Sequence, residues 1–205
     1  MTDLNAYHYF EKRIGPFRNL SSLSEKDAEV VAQRIRQERR NFASQRSADY
    51  LMIRRMLEQK AYELFTAKGG QPVSPYPHYM TLGTCEWLES WYTEPEWIAI
   101  SWCDLPAESV SFTYGDLFPT MRYSDGKPYR KQVYTKDEIL QVIQFYGWPQ
   151  EWNRNGELGP ERYIEVQVWD ELIINRTKAF KVYLLPGLPV QKSAIAGNTG
   201  VRYSE

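Results

Sequence analysis

A chain of 205 residues with 42% hydrophobic and 25% charged residues has the make-up of a globular domain and excludes a disordered or fibrous protein. The formal net charge of −1 gives no global attraction for a polyanion, and no window approaches the roughly 18 apolar residues of a membrane span. Aromatic residues, at 15%, exceed what folding alone requires, so they enter the search for a site.

The opening MTDLNAYHYFEKR has no apolar stretch of the kind a secretory leader needs. Two cysteines, Cys85 and Cys103, are too few for a disulfide framework, which fits reduced thiols and a cytoplasmic location; a single bridge between them stays open. Charge is divided along the chain. Residues 1–70 carry 13 Lys and Arg against 9 Asp and Glu, residues 71–205 carry 12 against 17, and no basic residue falls between Lys68 and Arg122.

Ser24 precedes Glu25, Lys26 and Asp27, a helix start with a hydroxyl cap and acids in the first turn, and Ala28, Val31, Ala32, Ile35 and Phe42 then recur at helical spacing. A helix to about Arg40 follows. A second is expected from Ser47 to Lys68, with Tyr50, Ile53, Leu57, Ala61, Leu64 and Phe65 on one stripe and Gly69-Gly70 as its stop. The prolines at 72, 75 and 77 make the next segment a connector.

From His78 the pattern changes to short apolar runs between turn signals. His78–Leu82, Trp97–Trp102, Val110–Tyr114, Ile164–Trp169 and Phe180–Leu185 read as strands. Asp125-Gly126, between Met121–Tyr123 and Gln132–Tyr134, reads as a hairpin tip. Thr135-Lys136-Asp137-Glu138 has capping-box form and opens a helix that Gly147 and Pro149 end. Past Pro186 the apolar pattern stops, and residues 187–205 read as a mobile tail.

The fold class is therefore α+β: an N-terminal helical hairpin over residues 1–70, packed on a mostly antiparallel, aromatic-rich sheet over 78–186 with one further helix, all within a single domain of residues 1–186.

His8, His78, Cys85 and Cys103 match no zinc spacing, so no metal is expected. Phosphate-cradling glycine loops and the nucleophile elbow of hydrolases are absent. All seven tryptophans lie between Trp87 and Trp169, where flat faces such as Trp102 and Trp169 either fill the core or line a cleft. Arg36, Arg39, Arg46, Arg54 and Arg55 offer a basic stripe to a nucleic-acid or protein partner, interrupted by Glu38, Asp49 and Glu58.

Three segments carry a family resemblance across about residues 77–185. His78-Tyr79-Met80-Thr81, Val110-Ser111-Phe112-Thr113-Tyr114-Gly115, and Tyr163-Ile164-Glu165-Val166-Gln167-Val168 with Phe180-Lys181-Val182-Tyr183 follow in an order that resembles the ADP-ribosyltransferase superfamily, particularly its DNA-modifying toxin branch. The resemblance implies that His78 positions the ribose of NAD, Tyr114 stacks on nicotinamide, and Glu165 steadies positive charge developing on the ribose. Where that branch resembles Tyr-Phe-x-Pro-Arg, this chain has Tyr114-Gly115-Asp116-Leu117, so Arg122, Arg130 or Lys131 would have to meet the pyrophosphate.

Two readings result. The first is a non-catalytic intracellular binding protein that uses an aromatic cleft or its basic helices. The alternative is an NAD-dependent, ADP-ribosyltransferase-like enzyme, with NAD as cofactor only in that case.

Overall fold

The computed structural model describes residues 4–38, 44 and 46–183. Five strands form one sheet: β1 (Asn5–Glu11), β2 (His78–Leu82), β3 (Pro95–Ser101), β4 (Val110–Tyr114) and β5 (Ile164–Val168). Their order is β3-β1-β2-β5-β4, with every neighbouring pair antiparallel. The α+β class holds. β1 was not foreseen, and it places part of the N-terminal third inside the sheet, between β3 and β2.

Successive side chains on a strand point to opposite faces, so register assigns each residue a side. In the paired strands Thr81 and Thr113 lie opposite Glu165, and Met80 and Phe112 lie opposite Val166. One face therefore collects Ala6, Phe10, Met80, Leu82, Ile98, Ile100, Phe112, Tyr114, Ile164, Val166 and Val168 into the main apolar core. Helix α5 (Lys136–Tyr146) covers it through Ile139, Val142 and Ile143, and its start is the expected capping box, Thr135 Oγ accepting from the Glu138 amide while the Glu138 carboxylate accepts from the Thr135 amide. Helix α7 (Glu171–Tyr183) adds Ile173 and Ile174.

The opposite face carries Tyr7, Tyr9, Tyr79, Thr81, Ser111, Thr113, Glu165 and Gln167. It meets α2 (Tyr50–Ala67), the short α3 (Glu86–Glu89) and α4 (Leu117–Arg122). Helix α2 ends as its glycines require: Gly69 has φ +89°, and the Gly70 amide donates back to the Phe65 carbonyl at 3.0 Å. Helix α1 (Glu25–Glu38) begins at Ser24, whose Oγ accepts from the Asp27 amide at 3.1 Å. Arg55 of α2 anchors the segment before it by donating to the Ser21 and Leu23 carbonyls.

Several expectations are corrected. Phe180–Tyr183 is helix, the end of α7, whose start the Asp170 carboxylate caps by accepting from the Leu172 amide; Leu184 and Leu185 lie outside the described residues. The hairpin at 121–134 is a helix and a loop. Asp116 caps α4 by accepting from the Phe118 amide at 2.8 Å, the chain bends at Asp125 and turns over 128–131 without a strand on either side, and Tyr134 meets the sheet as an isolated bridge to Phe112. Beyond α1 and α2 there are five helices among the described residues, α6 (Pro149–Trp152) being the remaining one, where one was expected. Phe42, Arg39, Arg40 and the tail 187–205 lie outside the described residues. Cys85 is buried and Cys103 exposed, and both are free thiols. Among the described residues no helix is long and apolar enough to cross a membrane.

Candidate functional site

The second face of the sheet does not have one continuous apolar cover. Leu57, Ala61, Phe65, Leu117, Met121, Val133 and Trp169 form one cluster under α2 and α4, while Tyr9, Cys85 and Tyr163 form another under α3. Between them runs a polar seam: Arg54 and Glu58 from α2, Tyr79 and Thr81 from β2, Asp116 from the start of α4, and Tyr163, Glu165 and Gln167 along β5. An apolar core there would avoid the desolvation of these groups, so their presence singles out the seam.

At its floor, Glu165 is 5% exposed. Its Oε1 accepts from the Leu117 amide at 3.2 Å and from Gln167 Nε2 at 3.0 Å, and its Oε2 lies 3.4 Å from the Tyr163 hydroxyl. Tyr163 in turn donates to Asp116 Oδ2 at 3.1 Å. Burial, reinforced by the neighbouring Asp116 charge, pushes the Glu165 pKa well above the usual carboxylate range, against the opposing effects of Gln167, Arg54 and the Leu117 amide. The Tyr163 hydroxyl thus stands between two carboxyls, Glu165 on the buried floor, where the charged form is disfavoured, and Asp116, which is partly exposed. Two carboxyls joined through a phenol therefore run from a dry floor to the rim. Burial, then Asp116 and Glu165, push the Tyr163 pKa upward, which keeps the phenol protonated as the middle link.

Along one wall, Glu58 is wholly buried and its Oε1 accepts from Ser21 Oγ (3.0 Å), Arg54 Nε (2.8 Å) and the Tyr79 hydroxyl (2.8 Å), leaving Oε2 buried without a hydrogen-bond partner among the described residues. The Arg54 guanidinium lies 4.7 Å from the Tyr79 ring centroid and donates through Nη1 to the Tyr50 hydroxyl at 3.3 Å. Burial works against the Arg54 charge, but Tyr50, Tyr79 and Glu58 together outweigh it. At the rim, Tyr50 stacks on Phe118 with centroids 4.9 Å apart and planes 4° from parallel, and Arg46 sits over the Tyr50 ring at 4.3 Å.

The residues singled out from sequence scatter around this site. Glu165 lies at its centre. His78 and Tyr114 project from the other face. His78 is buried beside Phe17 and bonds Glu171 at 2.7 Å, while the Tyr114 hydroxyl donates to the Tyr146 and Gly147 carbonyls and accepts from the Trp152 indole. These three side chains do not converge on one pocket. Arg130 has every guanidinium nitrogen engaged, by Asp125 at 2.9 and 2.7 Å and by buried Glu161, whereas Arg122 is exposed at the end of α4. Trp169 is fully buried and donates to Ser111 Oγ at 2.8 Å; Trp102 packs on Phe112 with Lys136 over its ring. Neither tryptophan reaches the seam as a ligand platform.

Three members of the basic stripe are also consumed internally. Arg36 pairs with Glu29, and Arg54 and Arg55 make the contacts given above. The aromatic-lined groove that does open to solvent follows α5, where Tyr134, Val142, Phe145 and Tyr146 meet Gln141 and Glu138, the latter tied to Lys68 at 2.8 Å. Burial raises the Tyr134 pKa there to about 12, whereas on Glu138 burial is outweighed by the Lys68 and Thr135 bonds, which lower its pKa.

Sequence reading missed Asp116, Tyr163, Arg54, Tyr79 and Tyr50. Parity along β2, β4 and β5 was the signal available for the strand residues, since it separates Glu165 from Tyr114 and His78. Compared with protein-family models, curated proteins and solved structures, the chain matches none.

Proposed function

We propose that the protein binds a small, planar, polar ligand at the seam between α2, α4 and the β2–β5 strands. The observation that carries this reading is the division of the apolar cover by a polar strip whose partly exposed members, Tyr50, Arg54, Tyr79, Asp116 and Phe118, surround a buried proton-holding acid. Such a strip costs stability relative to an apolar one, and ligand binding is the function that would retain it. The Tyr50–Phe118 stack forms the aromatic edge of the strip, and Asp116 accepts from ligand hydroxyls or amides.

A second reading, acid–base catalysis at the same seam, is supported by the Glu165–Tyr163–Asp116 relay, which would move a proton to and from a bound ligand at Asp116. Transferase chemistry on NAD is one member of that class, and Glu165 is the only residue of the expected trio that faces the seam.

The test is a thermal-shift panel with adenosine, nicotinamide, NAD and tryptophan at millimolar concentration, on the wild type and on Asp116→Asn. Stabilisation by at least one of them that shrinks in the variant is the expected result. A flat response across the panel would sink the reading. Consumption of NAD in the same samples, abolished by Glu165→Gln, would select catalysis over binding alone.

A further inference from the structure

Resting on that seam, we propose that its rim is an anion site, built from Arg46 and the outer edge of Arg54, that recognises a phosphate or diphosphate group on the bound ligand. The expected ligand is thus a phosphorylated planar molecule of the nucleotide type rather than a neutral aromatic.

Three observations carry this. Among the described residues no carboxylate pairs with Arg46, whose only contact of note is the Tyr50 ring at 4.3 Å. A guanidinium that lies over a ring with no carboxylate on it keeps its N–H fork available, and that fork suits two oxygens of one phosphate. The Arg46 guanidinium lies over the Tyr50 ring at the rim, and its charge also opposes the upward push of burial on the Tyr92 phenol's pKa.

Arg54 is held in place by bonds that leave part of it unused. Nε is fixed on Glu58 and Nη1 on Tyr50, its side chain is 14% exposed, and among the described residues Nη2 has no partner. The Tyr50 ring separates the two guanidinia: Arg46 stacks on it and Arg54 bonds its hydroxyl. A diphosphate placed across the edge of Tyr50 would meet the Arg46 fork at one end and the single Nη2 donor of Arg54 at the other.

The 18-residue helix α2 begins at this same residue. Asp49 at its cap makes no side-chain bond to the free amides of the first turn, its Oδ1 accepting instead from the Ser47 hydroxyl at 2.5 Å. The positive end of the helix therefore adds to the field of Arg46. Glu58 neutralises Arg54, and Asp116 and Asp49 stand nearby, so the net charge at the rim is small. Recognition has to come from oriented donors, and the affinity is expected to be modest and salt-sensitive.

The experiment uses the full chain and three probes by titration calorimetry: inorganic pyrophosphate, adenosine and ADP, at low and at high salt, on the wild type and on Arg46→Gln. Arg46 is partly exposed and bonded to no backbone group, so its replacement leaves the fold intact; circular dichroism of the variant verifies this. Pyrophosphate is expected to bind the wild type, to weaken at least tenfold in Arg46→Gln and to weaken with salt, while ADP outbinds adenosine in the wild type only. Equal binding of ADP and adenosine by the wild type, or pyrophosphate binding unchanged in the variant, overturns the anion site. The outcomes separate the two claims: adenosine binding without pyrophosphate binding removes the phosphate assignment and leaves the seam, whereas absence of binding by all three probes removes both. Arg54→Lys is the second variant, keeping the charge for Glu58 while losing the fork, and it should lower the ADP-to-adenosine ratio without abolishing adenosine binding.

Discussion

Replacing Glu165 by glutamine should stabilise this protein, and the gain should grow with pH. The amide reproduces the bonds of the protonated acid: its oxygen accepts from the Leu117 amide and Gln167 Nε2, and its NH2 group donates to the Tyr163 oxygen. Only titration is removed. In the unfolded chain Glu165 ionises near its ordinary value of 4.5, whereas the folded protein retains the proton to a higher pH because burial and Asp116 disfavour the charge. Above 4.5 the unfolded state therefore binds fewer protons than the folded one, and wild-type stability falls as pH rises until the folded-state carboxyl itself ionises. Each pH unit in that window costs about 1.4 kcal/mol. The variant keeps what the wild type loses across that window, so its advantage in stability and in Tm grows with pH. Urea denaturation of both proteins at half-unit steps from about pH 4 upward measures the difference directly, since every other titrating group is common to the two. A difference that is flat with pH, or a variant that is less stable throughout, would refute the assignment of the proton to Glu165.

Acid should act on His8 in the opposite direction. Its Nδ1–H donates to the Tyr79 carbonyl and its Nε2 accepts from the Phe17 amide, so the ring is held neutral, and burial, helped by the His78 and Lys178 charges and opposed by the Tyr79 bond, lowers its pKa to about 4. The unfolded state binds the extra proton below about 6.5, so stability is full above that value and falls towards pH 4, by at most about 2.5 kcal/mol at pH 4.5; His8→Gln should flatten that slope in denaturation curves. Arg130→Gln strands the fully buried Glu161 with Lys127 at 3.1 Å as its remaining ionic partner, and should cost about 3 kcal/mol, part of which the Arg130→Gln/Glu161→Gln double variant recovers. Trp169→Phe removes the indole bond to Ser111 and leaves a void between α2 and the sheet, an expected loss of about 1–3 kcal/mol by chemical denaturation.

Much of the scaffold was legible because local rules and tertiary structure agree. The capping box of α5, the glycine stop of α2 and the alternation of β2, β4 and β5 each name their own element. β1 escaped because Asn5–Glu11 places aromatic or apolar side chains on both faces, with Tyr7 and Tyr9 on one and Ala6 and Phe10 on the other, so no alternation of apolar and polar residues marks it. The end of α7 was misread for the converse reason: Phe180-Lys181-Val182-Tyr183 alternates like a strand, and a helix begun at Asp170 carries it instead. At the site, Glu165 could be picked from the sequence but not its company. Arg54 and Tyr79 stand 111 and 86 positions before it, and only the packing of α2 across β2 brings them together.

The position of β5 sets the order in which this sheet can be completed. β5 is the last strand to be made, yet it lies between β2 and β4 and bonds to both. Until residue 168 has emerged, a growing chain presents two unpaired strand edges facing a gap one strand wide, and closing that gap joins residues far apart in sequence, a slow step exposed to intermolecular pairing. Any peptide that imitates Ile164–Val168 should therefore compete during synthesis or refolding rather than against the finished protein, and yield on refolding should depend more on protein concentration than native stability alone would suggest.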